Sequence, residues 1–309
     1  MSAGQQEAWR ALTEQLKPGG VGLWVGESVP RLEQAEVNAR VWRTGNHLAE
    51  YANRVLQPVE VMILARYREV LSGRVLEVGC GAGRVLGYLV ALGGEVHGID
   101  ISQTMVEYCR RTYPGADVRR GDLGALTASE HAPFDAVLAT YNVLDVLDDA
   151  QRRRVLGEMR SLLGPAGLLI FSSHNLAHVD REREAAVPAP RRRRALELLS
   201  KLVGRPPVAV AQAAIRTPLR MRNRRRLGDL ERRAADHAIL NDVANDYGVL
   251  HYYIRRDDQE RQLQETGYEL VECLDLEDHP VVAGEDGCSP WLHYVARPIA
   301  SPDLERVDA

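Results

Sequence analysis

The chain has 309 residues, enough for one large domain or for one domain with a sizeable insertion. Its 45% hydrophobic and 27% charged residues are ordinary for a soluble globular protein, and a net charge of −4 gives no overall case for binding nucleic acid or membranes. No stretch reaches the length of a membrane span, the N-terminus lacks the apolar segment of a signal peptide, and the four scattered cysteines form no C-x-x-C pair. We therefore expect a cytoplasmic protein with reduced thiols.

The first 70 residues carry helical patterns. The segment AWRALTEQL has apolar residues at helical spacing and is ended by Pro18-Gly19-Gly20. A second helical pattern runs from about Ala35 through Val70 and is interrupted at Pro58. We expect an N-terminal helical cap over residues 1–70.

Strand and helix patterns then alternate. Strands are predicted at RVLEVGC, EVHGID, ADVRR, FDAVLAT and LLIFSS, and helices at RVLGYLVALG, SQTMVEYCRRTY and DDAQRRRVLGEMRSLL. Continuous apolar strands joined by helices indicate a parallel sheet that is covered on both faces. We assign this core to residues 71–175. The helix RRDDQERQLQETG and the strands YELVECLDL and WLHYVARP complete it over residues 251–309.

A strongly basic segment separates the two parts of this core. From Arg181 to Arg233 the sequence has sixteen Arg or Lys and five Asp or Glu, including the run Arg191–Arg194. We predict a helical basic insertion over residues 176–250. It has three interpretations: a solvated surface, a lid over a pocket for an anionic small molecule, or a contact with lipid or RNA phosphates. Few aromatic residues lie between the arginines, so nucleic-acid binding is not favoured.

The most informative motif follows the first predicted strand. Its glycines fall at Gly79, Gly81 and Gly83. A dinucleotide fingerprint requires G-x-G-x-x-G, but Arg84 and Leu86 stand where its third glycine belongs. The G-x-G-x-G spacing, with Glu77 two residues before it, resembles the first motif of class I S-adenosylmethionine-dependent methyltransferases.

The resemblance covers residues 70–175 well and residues 250–298 more loosely. It implies an α/β fold with a doubly wound, mostly parallel seven-stranded sheet whose last strand is antiparallel. It also implies S-adenosylmethionine as the cofactor, lying across the carboxyl ends of the strands. The glycine turn would pass under the amino-acid end of the cofactor, with Glu77 acting near that end.

Two further acids complete the implied cofactor site. Asp100 ends the second strand 17 residues after Gly83, close to the spacing at which such an acid meets ribose hydroxyls. Ile101 beside it would pack on the adenine. By the family pattern, Asp122 would accept from the adenine amine, and the amide of Leu123 would reach the ring.

The residues after the fourth and fifth strands bear on the acceptor. Tyr141 is expected beside the transferred methyl group, in a segment that lacks the D/N-P-P-Y/F tetrad typical of adenine- and cytosine-directed enzymes. His174, at the end of the fifth strand, and His251 are candidate general bases for a protonated acceptor. The acids at 145, 148 and 149 suggest a magnesium site as an alternative, but two of them lie at the start of a helix, where the dipole favours acids, so no metal site is predicted.

Three hypotheses follow for function. The first is transfer of a methyl group to an oxygen or nitrogen atom of a small-molecule acceptor, such as a specialised metabolite or a sugar. An alternative is an RNA methyltransferase that uses the basic insertion as a clamp. Another is a non-catalytic protein that binds the cofactor and acts as a partner. The sequence specifies neither the acceptor nor the oligomeric state.

Overall fold

The computed structural model describes residues 34–44, 48–127, 133–185 and 207–299 of the 309-residue chain. Two features of the sequence lie outside these ranges: the helix predicted over residues 8–16 and the arginine run at 191–194. Within the described ranges, no helix is long and apolar enough to cross a membrane.

Among the described residues, four helices precede the first strand. They are α1 (Gln34–Thr44), α2 (Leu48–Tyr51), α3 (Pro58–Arg66) and α4 (Arg68–Leu71). Pro58 stands in the first turn of α3, where its missing N–H costs no helical hydrogen bond. The Asn38 side chain fastens α1 to the core: its amide donates to the carbonyls of Leu250 at 2.6 Å and Val146 at 2.8 Å. The described part of the N-terminal segment is therefore helical.

Five strands and three helices then form the predicted alternation. They are β1 (Arg74–Val78), α5 (Leu86–Leu92), β2 (Glu95–Asp100), α6 (Gln103–Thr112), β3 (Ala116–Arg120), β4 (Phe134–Ala139), α7 (Asp149–Leu162) and β5 (Leu163–Asn175). After β5 come α8 (Leu176–Ala185) and α9 (Pro207–Gly228), then β6 (Arg232–Arg233), β7 (His237–Asn241) and β8 (Leu250–Ile254). The chain continues through α10 (Arg256–Glu265), β9 (Tyr268–Leu274) and β10 (Trp291–Pro298).

The predicted seven-stranded sheet is confirmed. β1 to β5 are parallel in the order β3-β2-β1-β4-β5. β10 pairs antiparallel with both β5 and β9, so the last strand is antiparallel as expected. The order reverses beside β1, and this is where an open α/β sheet leaves a crevice at the carboxyl ends of its strands.

Side chains of the central strands point alternately into two buried layers. On β4, Val137 and Ala139 belong to one apolar cluster, while Ala136 and Leu138 belong to the other. All four are fully buried. Successive side chains of a strand point to opposite faces of the sheet, and helices cover both faces. Every side chain of a central strand is therefore buried, so these strands are continuous apolar runs in the sequence.

The basic insertion is not helical throughout, and this corrects the sequence prediction. β6, β7 and β8 extend the sheet to ten strands. β8 pairs parallel with the end of β5, where His174 lies opposite Tyr253. β8 also crosses the boundary predicted at residue 250. All five residues of β8 are buried, so no alternation of polar and apolar residues marks it as a strand in the sequence.

Candidate functional site

The glycine turn joins the end of β1 to α5 with a backbone that favours glycine. Gly79 and Gly81 have φ angles of 68° and 54°, in the left-handed region. A Cβ atom on Gly79 would lie 2.7 Å from Cγ1 of Val143. The amides of Gly79 and Cys80 both donate to the carbonyl of Ile99, at 2.8 and 3.0 Å. These two hydrogen bonds hold the turn against the end of β2.

A cavity of about 610 Å³ occupies this crevice. Ten of the eleven sequence-predicted site residues line it: Glu77, Gly79, Gly81, Asp100, Ile101, Asp122, Leu123, Tyr141, His174 and His251. Gly83 does not belong to its lining. A Cβ atom on Gly83 would lie 2.4 Å from Cε2 of Tyr113, so this glycine serves close packing against the end of α6.

Asp100 holds the turn and faces the cavity. Its Oδ2 accepts from the amide of Gly81 at 2.8 Å, and its Oδ1 accepts from the amide of Ser102 at 2.8 Å. Burial raises the pKa of Asp100, and the two amides oppose this effect. Each carboxylate oxygen keeps a second lone pair, so the group retains acceptor capacity for the hydroxyls of a diol.

Glu77 is buried at the wall of the cavity. Its Oε2 has no hydrogen-bond partner among the described residues. Burial raises the pKa of Glu77 well above its usual value, although the charge of Arg84 acts in the opposite direction. Arg84 itself is engaged with Glu60, with Nη2 at 2.7 Å from Oε1. An unpartnered buried carboxyl oxygen at a cavity wall is suited to a donor from a ligand.

Asp122 is engaged by the N-terminal helices. Its Oδ1 accepts from the amide of Gly124 at 2.9 Å, which caps a short 3₁₀ turn at Leu123–Ala125. Its Oδ2 pairs with the guanidinium of Arg43 on α1. The sequence did not predict Arg43, which lines the same end of the cavity.

Aromatic side chains form another wall. The ring of Tyr141 makes edge contacts with Trp291 at a centroid distance of 4.9 Å and with Tyr51 at 6.2 Å. The guanidinium of Arg54 lies 4.5 Å from the Tyr51 centroid and 4.7 Å from the Tyr141 centroid. Burial raises the pKa of Tyr51 to about 12, so its phenol is neutral at pH 7.

His174 reaches the cavity with a buried carboxylate behind it. Oδ2 of Asp145 lies 2.6 Å from Nδ1 of His174 and accepts from its backbone amide at 2.7 Å. Oδ1 of Asp145 accepts from Arg152 at 2.6 Å and from Ser173 at 2.7 Å. Burial alone raises the pKa of Asp145, but Arg152 and His174 lower it by more than burial raises it. The pKa of Asp145 therefore lies below its usual value. The carboxylate therefore fixes the orientation of the imidazole.

His251 is paired with a different carboxylate, that of Asp242. Nδ1 of His251 lies 2.6 Å from Oδ2 of Asp242, which also accepts from the hydroxyl of Tyr253 at 2.8 Å. Burial lowers the pKa of His251, but the Asp242 carboxylate outweighs this effect and leaves the pKa raised. The rings of His174 and His251 stack at a centroid distance of 4.8 Å with 22° between their planes. The structure thus brings the two predicted bases together.

Three of these side chains also have the spacing of metal ligands. One ligand atom from each of His174, Asp242 and His251 lies within 4.8 Å of the others. In each His–Asp pair, the Nδ1 atom is already hydrogen-bonded to a carboxylate. The same contacts serve a metal-free site in which the carboxylates orient the rings.

Sequence reasoning missed Asp145 and Asp242. Asp145 was weighed with Asp148 and Asp149 only as part of a magnesium site; of these, Asp148 caps a helix, since its side chain accepts from the amide of Gln151 at 2.8 Å. Asp145 lies 29 residues from His174 in the chain, and no local pattern links the two. For Asp242 the available signal was an acid directly after the strand His237–Asn241, similar to the strand-end position that identified Asp100.

The matched family model is described as a methyltransferase domain and covers residues 75–167. This range contains the glycine turn, Asp100 and Asp122. Residues 75–167 therefore match a methyltransferase domain, in agreement with the predicted resemblance to class I S-adenosylmethionine-dependent methyltransferases. The cavity residues fit that cofactor, since the unpartnered Glu77 oxygen and the Asp100 carboxylate offer acceptors at two points along one cavity.

Two curated relatives match part of the chain. The chain is 30% identical over 124 residues to a ubiquinone biosynthesis O-methyltransferase of Xanthomonas axonopodis pv. citri, covering 39% of this chain and 51% of that protein. It is also 30% identical over 115 residues to a probable S-adenosylmethionine-dependent methyltransferase of Mycolicibacterium smegmatis, covering 37% and 43%. The chain thus spans about half the length of these curated relatives.

A solved structure shares the fold. The CcbJ methyltransferase of Streptomyces caelestis superposes with a TM-score of 0.52 at 18% identity, covering 82% of this chain and 96% of that one. At this identity the likeness concerns the fold alone.

Proposed function

We propose that this protein transfers a methyl group from S-adenosylmethionine to an oxygen or nitrogen atom of a small-molecule acceptor. The observation that carries the proposal is one continuous cavity lined both by the glycine turn with Asp100 and by His174 with its buried carboxylate. A cofactor half and a proton-accepting half thus share one space.

In this proposal the cofactor half is held by the residues that the family pattern selects. Asp100 accepts from the ribose hydroxyls, Glu77 accepts from a donor at the amino-acid end, and Ile101 and Leu123 pack on the adenine. Asp122 either accepts from the adenine amine or keeps its pairing with Arg43. Bound S-adenosylmethionine supplies a methyl group on a positively charged sulfur atom.

His174 is the proposed general base. In this proposal Asp145 holds the Nδ1 proton, so the Nε2 lone pair is the acceptor on the ring. The side-chain amide of Asn142 lies 3.3 Å from that Nε2, at the position that the hydroxyl of the acceptor would take. The base is needed when the acceptor atom carries a proton at neutral pH, as a hydroxyl does. The aromatic wall of Tyr141 and Trp291 excludes water from the acceptor.

Calorimetry with S-adenosylmethionine tests the cofactor half. We expect the unaltered chain to bind, and Asp100→Asn to raise the Kd about tenfold or more, because it weakens a charged hydrogen-bonding group. Asp117→Asn on β3 is the matched control, since Asp117 is exposed and paired with Arg119. No binding by the unaltered chain, or an unchanged Kd in Asp100→Asn, would contradict the proposal.

Mass spectrometry with a methyl-labelled cofactor tests the acceptor class. Incubation with a small-molecule extract is expected to give a labelled product below the size of RNA or protein. The exposed arginines of α9, such as Arg222 and Arg225, favour RNA as the second candidate. RNA as the acceptor would appear as label in the nucleic-acid fraction, with binding that weakens steeply as salt rises.

A further inference from the structure

One carboxamide at the cavity wall has a buried oxygen atom without a hydrogen-bond partner. Gln151 is the third residue of α7, and its side chain lines the cavity. Its Oε1 is buried, and no described residue donates to it. A buried carbonyl oxygen of this kind costs free energy unless a donor reaches it. Since Gln151 faces the cavity, we expect that donor to belong to the molecule that fills the cavity.

The face of α7 that carries Gln151 is fastened to the 3₁₀ turn Leu123–Ala125. Nη1 of Arg154 donates to the carbonyl of Leu126 at 3.1 Å, and Nη2 of Arg154 donates to the carbonyl of Gly124. Gln151 precedes Arg154 by three residues, so the two side chains lie on the same face of the helix. The turn and Gln151 line the same cavity. The carboxamide therefore stands at the proposed adenine end.

The acid at this end of the cavity already has partners within the protein. Oδ1 of Asp122 accepts from the amide of Gly124 at 2.9 Å, and Oδ2 pairs with the guanidinium of Arg43. A donor from the cofactor would have to share these oxygens with the amide and the guanidinium. Oε1 of Gln151 has no such competitor among the described residues. Gln151 is therefore the better placed acceptor for the adenine amine.

Adenine presents a donor and an acceptor side by side, namely the 6-amino group and a neighbouring ring nitrogen. A carboxamide carries an acceptor and a donor with matching spacing, so Asn and Gln can pair with the edge of adenine through two hydrogen bonds. We propose that Gln151 binds the adenine of S-adenosylmethionine: Oε1 accepts from the 6-amino group, and Nε2 donates to the neighbouring ring nitrogen. Asp122 keeps its contacts with Gly124 and Arg43. This inference rests on the proposed function and deepens it, since the family pattern does not select Gln151.

Calorimetry with a matched pair of ligands tests the assignment without turnover. The pair is S-adenosylhomocysteine and its analogue in which hydrogen replaces the 6-amino group. The analogue leaves Oε1 of Gln151 unpaired in a filled cavity, so we expect its Kd for the unaltered chain to be about tenfold or more higher. Equal Kd values for the two ligands would overturn the proposal.

Variants at Gln151 show whether this residue binds the amine. Gln151→Met keeps the length of the side chain and removes both polar atoms, so we expect the two Kd values to come within about twofold of each other. Gln151→Glu keeps an acceptor oxygen and suits the first turn of a helix, and it is expected to keep the ratio of the Kd values. Loss of the ratio in Gln151→Glu, or its persistence in Gln151→Met, would contradict the assignment.

Two further variants complete the comparison. Asp122→Ser is expected to keep the ratio even where both Kd values rise, because the ratio compares two ligands within one protein. A ratio lost in Asp122→Ser and kept in Gln151→Met would assign the amine to Asp122 instead. Gln264→Met is the control, since Gln264 is exposed on α10 and does not line the cavity.

These outcomes separate the inference from the proposed function. If the unaltered chain binds neither ligand, the proposed cofactor itself fails. If it binds both ligands with the same Kd, or if the ratio survives in Gln151→Met, the cofactor stands and only the role of Gln151 fails.

Discussion

At the residue scale, the proposed acceptor end of the cavity depends on carboxylates that do not line it. Asp145 is fully buried and satisfied by Arg152, Ser173 and His174. A buried charge with this many donors is retained because removing any partner would leave another charge unpaired. The arrangement fixes the tautomer of His174, and orientation of the base is a prerequisite for proton transfer.

Replacement of His174 gives the first prediction at this scale. We expect His174→Gln to lower kcat by about 10²–10⁴-fold on a hydroxyl acceptor, because general bases contribute rates of this order. The Kd of S-adenosylmethionine is expected to stay within about twofold, since the ring is assigned to the acceptor half. Single-turnover assays and calorimetry measure the two quantities, with His279→Gln as control. An unchanged kcat would mean that no proton is taken by this ring.

Two glycines contrast a strained and crowded position with an open position on a helix. Gly79→Ala places a Cβ atom 2.7 Å from Val143 at a φ of 68°, so we expect lower stability and weaker cofactor binding. Gly157→Ala on α7 meets nothing within 4 Å. It is expected to stabilise the protein by about 0.5–1 kcal/mol through helix propensity. Urea unfolding of both variants checks the contrast, and equal effects would show that neither the contact nor φ matters.

At the scale of elements, β1 to β5 could be predicted because each strand is a continuous apolar run bounded by turn residues. The end of a parallel strand is also a local feature, and this allowed Glu77, Asp100 and His174 to be selected from the sequence. β7 and β8 could not be predicted in the same way. Their pairing with β5 depends on contacts such as His174 opposite Tyr253, which no short window of sequence contains.

The connection between β7 and β8 is held by α9. Asn245, Asp246 and Tyr247 all have positive φ angles, between 49° and 61°. Such backbone is costly for residues other than glycine and persists only when neighbours enforce it. Arg216 and Arg220 bind the two carboxylate oxygens of Asp246 at 2.8 and 2.7 Å. Asn245 lines the cavity, so the basic helix positions part of the acceptor wall.

Loss of the contacts that Arg216 and Arg220 make with Asp246 is expected to affect acceptor binding. In the double variant Arg216→Gln, Arg220→Gln, we expect a raised KM for the acceptor and faster amide exchange at residues 244–247. The Kd of S-adenosylmethionine is expected to stay unchanged. Each pair is partly exposed and worth only about 1 kcal/mol or less, so both arginines are replaced. Arg225→Gln is the control. An unchanged rate of amide exchange at residues 244–247 in the double variant would contradict this role of the two arginines.

At the scale of the whole molecule, the two halves of the cavity differ in how far the sequence specifies them. The cofactor half comes from consecutive strand ends between residues 77 and 123, where spacing alone carries information. The proposed acceptor half combines Arg54, Tyr141, His251 and Trp291, which all line the cavity. These residues come from four separate parts of the chain, so their meeting is a consequence of the sheet order and not of any motif.

One buried histidine is expected to govern acid stability. His293 on β10 is 1% exposed, and neither ring nitrogen has a hydrogen-bond partner among the described residues. Burial lowers the pKa of His293 to about 4; Glu60 opposes this shift, and Arg84 adds to it. The folded state therefore binds fewer protons than the unfolded state between about pH 4 and pH 6.5. The free energy of unfolding must fall as the pH drops through this window, by about 3 kcal/mol from this residue.

His293→Leu removes the titrating group and replaces it with an apolar side chain of similar size. We expect the variant to be at least as stable as the unaltered chain at pH 7, because an unsatisfied buried polar group is also removed. Between pH 6.5 and pH 4 its free energy of unfolding should fall less steeply. Urea unfolding at several pH values gives both quantities, with His279→Gln, an exposed ring, as the control. The same acid slope in His293→Leu would mean that the loss of stability comes from other groups.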